Sequence, residues 1–311
     1  MHSEGKDESE ENEMGNYAQI IRTEFKKGDD IRDAGLTTPE DIVRYDDILY
    51  GTDSKWHLLD VYRPKNADGR KMPVIVSVHG GGFVYGTKET YQYYCMSLAQ
   101  HGFAVVNYNY RLAPENKFPA ALEDCCKAFA WTLDHAEEYG FDPDHVFAVG
   151  DSAGTTILSQ FCNLCSNPDY AAKLPSCKAP AGFIPKAIAL NCGDYKYVRP
   201  EGPEDPEALI QSLLPYIFEN GGTDEELALA NVAGNVTSGF PPSYLMTCED
   251  DFLKWGLLVI EQELLRHNVP FEAQFYVSSK EKLGHVFHCG IKNELSRFCN
   301  EQQIRFFRQF I

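Results

Sequence analysis

The sequence lacks the marks of a membrane protein and of a nucleic-acid-binding protein. No stretch approaches the 18 or so uncharged apolar residues that a membrane-spanning helix requires. The acidic start of the chain has no basic segment followed by an apolar run, so no secretory signal is expected. Cationic residues are too few to balance the acidic ones, and a net charge of -18 repels phosphate. The sequence therefore predicts a cytoplasmic protein that binds neither membranes nor nucleic acid.

The ten cysteines do not form a pattern typical of disulfides or of zinc sites. They lie in a large chain, within apolar helical and strand patterns, which favours reduced and buried thiols. The CxxC of Cys162 and Cys165 falls inside a predicted helix, with no second CxxC and no histidine pair nearby. We therefore interpret this pair as core packing rather than as a redox or zinc site.

Apolar, β-branched runs alternate with helical patterns along most of the chain. The predicted strands cover 41–50, 56–62, 73–78, 103–108, 145–149, 187–190, 243–247 and 272–277. The predicted helices between and after them cover 91–100, 118–139, 153–165, 252–267 and 293–310. This alternation predicts an α/β fold with a mainly parallel sheet and helices on both faces. The first two strands are expected to form an antiparallel pair at the sheet edge.

Three segments depart from this alternation. Residues 1–16 are acidic and are predicted to be a disordered tail. Residues 17–40 have weak helical patterning, and charges, Gly and Pro interrupt two short predicted helices within 195–236. We expect residues 41–311 to form the main domain, with 195–236 as a cap-like insertion and 17–40 as a helical cap segment over the sheet.

The strongest chemical motif is Gly150-Asp-Ser-Ala-Gly154, between a predicted strand and a predicted helix. In a tight strand-to-helix turn, glycines two residues before and after the serine avoid collisions with the neighbouring chain. Such a turn raises the Ser152 hydroxyl above the sheet at a helix N-terminus, where negative charge is favoured. The motif therefore predicts Ser152 as a nucleophile.

A glycine-rich loop follows the predicted strand 73–78. It reads His79-Gly-Gly-Gly-Phe83, and consecutive glycines allow backbone amides to face a cavity. A phosphate-binding loop would end in Lys-Ser or Lys-Thr, which is missing here. We predict that the amides of Gly81 and Gly82, with that of Ala153, stabilise an oxyanion, and that His79 braces the loop through a backbone hydrogen bond.

A general base and its orienting acid are expected in chain order after the serine. Asp251 is the preferred acid because it immediately precedes a predicted helix start, with Asp250 as the alternative and Glu249 as a loop-stabilising residue. His285 follows Gly in the loop after the last predicted strand and is the preferred base. His288 is the alternative base.

Taken together, these motifs resemble those of the hormone-sensitive-lipase-like family of esterases, also called bacterial type IV lipases. The matching segments are HGGGF at 79–83, NYRLAPE at 109–115, FPAALED at 118–124, GDSAG at 150–154, DFL at 251–253 and GHVF at 284–287. The resemblance implies an α/β-hydrolase fold with a small helical cap, and a carboxylesterase with catalytic Ser152, Asp251 and His285. It implies no metal and no organic cofactor, and structural roles for four residues, Arg111, Pro114, Pro119 and Asp124.

The substrate is less well defined by the sequence. The resemblance implies a small-molecule ester with a short acyl chain, and it leaves open a deacetylase of sugars or polysaccharide fragments, an amidase or peptidase, and a non-catalytic receptor. A homodimer is also compatible with it. The Asp-Phe-Leu here, where the family often has Asp-Pro-Leu, weakens any transfer of substrate preference. Candidate pocket residues are aromatic: Phe83, Tyr85, Tyr195, Tyr216 and Trp255.

Overall fold

One sheet of eight strands organises the part of the chain that the computed structural model describes, namely residues 7–67, 69–197 and 208–311. The strands are β1 (Ile42–Leu49), β2 (Leu58–Pro64), β3 (Met72–Val78), β4 (Ala104–Tyr108), β5 (Phe141–Asp151), β6 (Ile188–Asn191), β7 (Ser243–Cys248) and β8 (Phe271–Tyr276). Their order is β1-β2-β4-β3-β5-β6-β7-β8. Strands β3 to β8 are parallel, as the alternation predicted.

The first two strands pair antiparallel, but only β1 is an edge strand. Strand β2 pairs with β1 on one side and with β4 on the other. Its central residues are buried, including the carboxylate of Asp60, which forms an ion pair of 2.9 Å with the buried Lys88. A buried charge requires a partner of opposite charge. For Asp60 this partner is Lys88, which is distant in the sequence. The prediction that both strands lie at the edge is therefore wrong for β2.

Ten α-helices are found among the described residues. They are α1 (Asp7–Asp33), α2 (Lys88–Ala99), α3 (Ala120–Asp134), α4 (Ala136–Tyr139), α5 (Ala153–Ser166), α6 (Pro168–Lys173), α7 (Ala208–Ile217), α8 (Asp224–Ala230), α9 (Gly256–Arg266) and α10 (Glu294–Phe307). The single helix predicted for 118–139 is broken at His135, and its second part ends at Gly140, which adopts a left-handed conformation with φ 65°. None of these helices is both long enough and apolar enough to cross a membrane.

Helix α1 starts earlier than the sequence pattern suggests. It begins at Asp7, so residues 7–16, which were predicted to be a disordered tail, are helical. Glutamate is a good helix former, and acidic side chains near a helix N-terminus interact favourably with the helix dipole. The remainder of the predicted tail, 1–6, and residues 198–207 of the predicted insertion lie outside the described residues.

Helices pack on both faces of the sheet because alternate strand residues point to opposite sides. On β3, Val74 and Val76 belong to the core on one face, and Ile75 belongs to the core on the other. Nine cysteines are buried and Cys165 is half-buried, all as free thiols. Cys162 is fully buried in the first of these cores, so its predicted role in packing is confirmed.

A buried ion cluster supports the loop between β4 and α3. The Asp124 carboxylate is fully buried and accepts hydrogen bonds from Arg111 Nε and Nη2, at 2.9 and 2.8 Å. It also contacts His57 Nε2 and Lys127 Nζ, each at 2.9 Å. Burial works to raise the pKa of Asp124, but these donors together hold it below its ordinary value. The predicted structural role of Arg111 and Asp124 is consistent with this cluster.

The strand order brings the motifs together. From β3 the chain crosses to β4 on one side and then returns to β5 on the other, so the loops after β3 and β5 diverge at a switch point. Such a point forms a crevice at the carboxyl ends of parallel strands. The glycine-rich loop follows β3 and Ser152 follows β5, while the loops after β7 and β8 carry Asp251 and His285.

Candidate active site

Ser152 occupies a strained turn between β5 and α5. Its backbone has φ 49° and ψ −122°, a conformation that residues other than glycine rarely adopt. The flanking glycines are required by close packing. A Cβ at Gly154 would lie 2.0 Å from the carbonyl oxygen of Val78, and one at Gly150 would lie 2.7 Å from the carbonyl oxygen of Gly154. The serine side chain remains partly exposed at the N-terminus of α5.

Three side chains from three loops form one hydrogen-bonded chain. Ser152 Oγ lies 2.9 Å from His285 Nε2, and His285 Nδ1 lies 2.7 Å from Asp251 Oδ1. The other oxygen of Asp251 accepts a hydrogen bond of 2.6 Å from Thr247 Oγ1, and Oδ1 also accepts from the Leu253 amide at 2.9 Å. Burial works to raise the pKa of Asp251, but His285 and the other donors hold it below its ordinary value. This carboxylate is therefore charged and fixed in orientation.

The alternative acids and base lie elsewhere. Asp250 is half-exposed and faces Lys282 at 3.9 Å, while Glu249 Oε1 accepts a hydrogen bond from the Ser278 amide at 3.2 Å. His288 is fully buried, and desolvation lowers its pKa to about 3, so it remains neutral. Of these candidate acids and bases, the structure brings Asp251 and His285 to Ser152.

The glycine-rich loop lines the same cavity as Ser152. Gly81 and Gly82 have φ 117° and 61°, and a Cβ at Gly81 would lie 2.2 Å from the carbonyl oxygen of Tyr85. None of the described residues accepts a hydrogen bond from the amides of Gly81, Gly82 or Ala153. The amide of Ala153 lies in the first turn of α5, at the positive end of the helix dipole.

His79 is a buried bracing residue. Its Nδ1 donates a hydrogen bond of 2.8 Å to the carbonyl oxygen of Gly80, and its ring stacks on Tyr110 at a centroid distance of 4.1 Å. Burial lowers its pKa to about 4, so it is neutral near pH 7. The predicted backbone hydrogen bond is present.

Asp151 is a buried carboxyl next to the nucleophile. Its Oδ2 accepts a hydrogen bond of 2.6 Å from the Tyr91 hydroxyl. Burial raises the pKa of Asp151 to about 7, although the Tyr91 hydrogen bond and the nearby His285 and Arg32 work in the opposite direction. The sequence does not single out this aspartate, because its surroundings are formed by Tyr91 and Gly80, which are distant from it in the chain.

Two groups of side chains among the described residues have the spacing of metal ligands. Cys192 lies with Asp251 and His285, and Asp151 lies with His288 and Cys289, the ligand atoms of each group being within 4.8 Å of one another. In the first group the hydrogen bond between Asp251 and His285 already uses a ligand atom of each residue. This hydrogen bond accounts for the proximity of Asp251 and His285.

A cavity of about 440 Å³ opens above Ser152. Phe83 and Tyr85 line it, as predicted. Further apolar side chains, which were not predicted from the sequence, line it as well: Ile21 and Phe25 of α1, Leu213 and Ile217 of α7, and Phe252. The helical residues come in pairs four apart, which places each pair on one face of its helix. This spacing in the sequence indicates that each helix has an apolar face. It does not indicate that the face packs over the cavity.

The other three aromatic residues predicted to line the pocket do not lie at this cavity. Tyr195 is 2% exposed and packs into the main core, and Tyr216 is buried in the cluster around α7. Trp255 precedes α9 and is 59% exposed. These predictions are wrong because aromatic residues near a site in sequence are used equally for packing and for surface positions. Phe252 is instead the aromatic neighbour of His285, with a ring centroid distance of 4.3 Å.

The chain is similar to known proteins over most of its length. The family described as alpha/beta hydrolase fold matches residues 75–289, which are 215 of the 311 residues. A versiconal hemiacetal acetate esterase of Dothistroma septosporum is 28% identical over 70% of this chain and 67% of its own length. Lipase 2 of a Moraxella species is 38% identical over 72% of this chain, which spans 58% of that lipase.

A solved structure shows the same fold over nearly the whole chain. Esterase B from Lactobacillus rhamnosis superposes with a TM-score of 0.86 at 24% identity, covering 97% of this chain and 96% of that one. The chain spans about two thirds or less of the curated relatives that it matches. The matched segment contains the glycine-rich loop, the nucleophile turn and His285, and the chain belongs to the alpha/beta hydrolase fold family.

Proposed function

We propose that the protein hydrolyses short-chain carboxylic esters through an acyl-enzyme formed on Ser152. The observation that carries this proposal is the continuous hydrogen-bonded chain from Ser152 Oγ through His285 to Asp251. A serine hydroxyl is a weak nucleophile unless a base removes its proton as it attacks. His285 is at hydrogen-bond distance for that step, and Asp251 orients its ring.

In the acylation step, Ser152 Oγ attacks the ester carbonyl carbon while its proton passes to His285 Nε2. The carbonyl oxygen becomes an oxyanion, to which the amides of Gly81, Gly82 and Ala153 donate hydrogen bonds. Each preorganised donor of this kind contributes about 3–4 kcal/mol to the transition state. Asp251 stabilises the imidazolium without taking its proton.

Collapse of this intermediate breaks the ester C–O bond. His285 then donates its proton to the leaving alkoxide, and the alcohol departs, leaving the acyl group on Ser152. In the deacylation step, His285 removes a proton from water as the water attacks the acyl carbon. The second tetrahedral intermediate then breaks its bond to Ser152 Oγ, His285 donates its proton to that oxygen, and the carboxylic acid is released.

The size and lining of the cavity support small, apolar esters. Its volume of about 440 Å³ is in the lower part of the range for small-molecule sites, and its walls are mainly apolar. Side chains of α1 and α7 line the cavity together with Ser152. We propose that 17–40 and 195–236 form the cap over the cavity and limit the acyl length.

The test compares wild type with Ser152→Ala on p-nitrophenyl esters from acetate to dodecanoate, with acetylated xylo-oligosaccharides as further substrates. We expect kcat/KM to be highest for acetate or butyrate, to fall for longer chains, and to drop by at least about 10⁴-fold in Ser152→Ala. Ser159→Ala, on the same helix, is the matched control and should keep wild-type activity. Turnover that survives in Ser152→Ala would exclude the proposed nucleophile, and preferential cleavage of the acetylated sugars would favour a deacetylase.

A serine-directed fluorophosphonate probe separates an enzyme from a receptor on the same scaffold. Because this probe reacts with activated serines, we expect it to label wild type and Ser159→Ala but not Ser152→Ala. A folded wild-type protein that neither reacts with the probe nor cleaves any ester would contradict the proposal.

A further inference from the structure

A tyrosine on α2 joins the glycine-rich loop to the nucleophile strand. The amide of Gly80 donates a hydrogen bond of 3.0 Å to the Tyr91 hydroxyl, and this hydroxyl donates a hydrogen bond of 2.6 Å to Asp151 Oδ2. Gly80 directly precedes the first proposed oxyanion donor, Gly81, and Asp151 directly precedes Ser152. The Tyr91 hydroxyl therefore connects the residue before the first proposed oxyanion donor with the residue before the proposed nucleophile.

The other hydrogen bonds of the glycine-rich loop connect it to residues that are not adjacent to Ser152. The Gly80 carbonyl accepts from His79, and the His79 carbonyl accepts a hydrogen bond of 2.9 Å from the Tyr110 hydroxyl. The Gly81 carbonyl accepts from the amides of Val84 and Tyr85, within the loop itself. Among the loop hydrogen bonds within the described part of the chain, the one through Tyr91 leads to the residue beside Ser152.

Packing around this connection is close and excludes bulk solvent. Tyr91 is 6% exposed and Asp151 is 2% exposed. A Cβ at Gly80 would lie 2.7 Å from Asp151 Oδ2 and 3.0 Å from the Tyr91 hydroxyl oxygen. The loop therefore lies directly against the carboxyl group, and a hydrogen bond in such an environment is stronger than one in water.

We propose that Tyr91 and Asp151 are positioning residues, which hold the glycine-rich loop at the distance from Ser152 that oxyanion stabilisation requires. This inference rests on the proposed esterase function. Oxyanion donors act only when they are preorganised around the developing charge, and small displacements weaken them. Neither side chain needs to touch the reacting carbonyl, because both act through the backbone of Gly80.

The first test is Tyr91→Phe, which removes one hydroxyl and keeps the ring. With p-nitrophenyl butyrate we expect kcat to fall by about tenfold to hundredfold, part of what the loss of a whole donor costs, while KM changes less than about twofold. The inhibition constant of butaneboronic acid should rise by the same factor as kcat/KM falls, because its tetrahedral adduct with Ser152 uses the oxyanion donors.

Two variants at Asp151 and one on α2 make the test specific. Asp151→Asn keeps an acceptor for the tyrosine hydroxyl and should retain most of the activity. Asp151→Leu removes the acceptor and should lose about as much as Tyr91→Phe, with little further loss when the two are combined, since residues acting as one unit are not additive. Tyr94→Phe is the matched control, because the Tyr94 hydroxyl accepts a hydrogen bond from Gln303 and not from the loop.

The outcomes separate this inference from the proposed function. If wild type cleaves no ester, the proposed function fails. If wild type is active and Tyr91→Phe has wild-type kcat and boronate affinity per folded molecule, the positioning role is overturned even if the variant unfolds more easily. Equal activity of Asp151→Leu and Asp151→Asn would overturn it as well, and this pair decides the question should Tyr91→Phe fail to fold.

Discussion

The buried carboxyl of Asp151 should make the protein less stable as the pH rises. Burial raises its pKa from 3.8 to about 7, so the folded protein holds a proton there that the unfolded chain releases at lower pH. Between these two pH values the unfolded state binds fewer protons than the folded state, and unfolding is therefore increasingly favoured as pH increases. Below 3.8 both states are protonated and the penalty vanishes, while above 7 it is complete.

The size of the effect follows from the difference of about 3 units between the two pKa values. One unit corresponds to about 1.4 kcal/mol, so the full penalty is about 4 kcal/mol, of which about 3 kcal/mol develops between pH 5 and pH 8. Asp151→Asn cannot ionise and keeps an acceptor for Tyr91, so it should avoid this penalty. Its free energy of unfolding relative to wild type should therefore increase by about 3 kcal/mol over that range.

Urea unfolding of both proteins at pH 5, 6, 7 and 8 measures this difference, because titrations that the two proteins share cancel. A difference in unfolding free energy that is flat across the range would refute the reasoning and show that Asp151 ionises near its ordinary pKa. Asp144→Asn, at a solvent-facing carboxylate, is the matched control and should show no comparable trend.

Two further predictions concern carboxylates with lowered pKa. Asp251→Asn should reduce kcat by about 10⁴-fold in steady-state ester hydrolysis with the fold intact, because an amide can neither stabilise an imidazolium nor hold the His285 tautomer; a loss below tenfold would contradict the assignment. Asp124→Ala removes the buried carboxylate that Arg111, Lys127 and the buried His57 share, and leaves Arg111 with Glu123 as its remaining acidic partner, so the free energy of unfolding in urea should drop by about 3–5 kcal/mol while activity per folded molecule is kept; a drop below 1 kcal/mol would show the cluster to be dispensable.

The parts of the fold that could be predicted are those governed by local pattern. The parallel strands β3 to β7 contain short apolar runs, and Gly140 marks a helix end, because backbone conformation and burial on both faces constrain neighbouring residues. The position of β2 inside the sheet could not be predicted in this way. It depends on pairing with β4, whose residues are more than forty positions away.

The sequence by itself determined where the chemistry could occur, since the strained turn at Ser152 and the glycine-rich loop each need particular residues at consecutive positions. Only the tertiary structure decided which of three neighbouring carboxylates meets His285. It also decided that side chains of α1 and α7 line the cavity, and that Tyr91 joins Gly80 to Asp151. These contacts link residues distant in the chain, and packing of the folded molecule rather than local sequence determines which of them form.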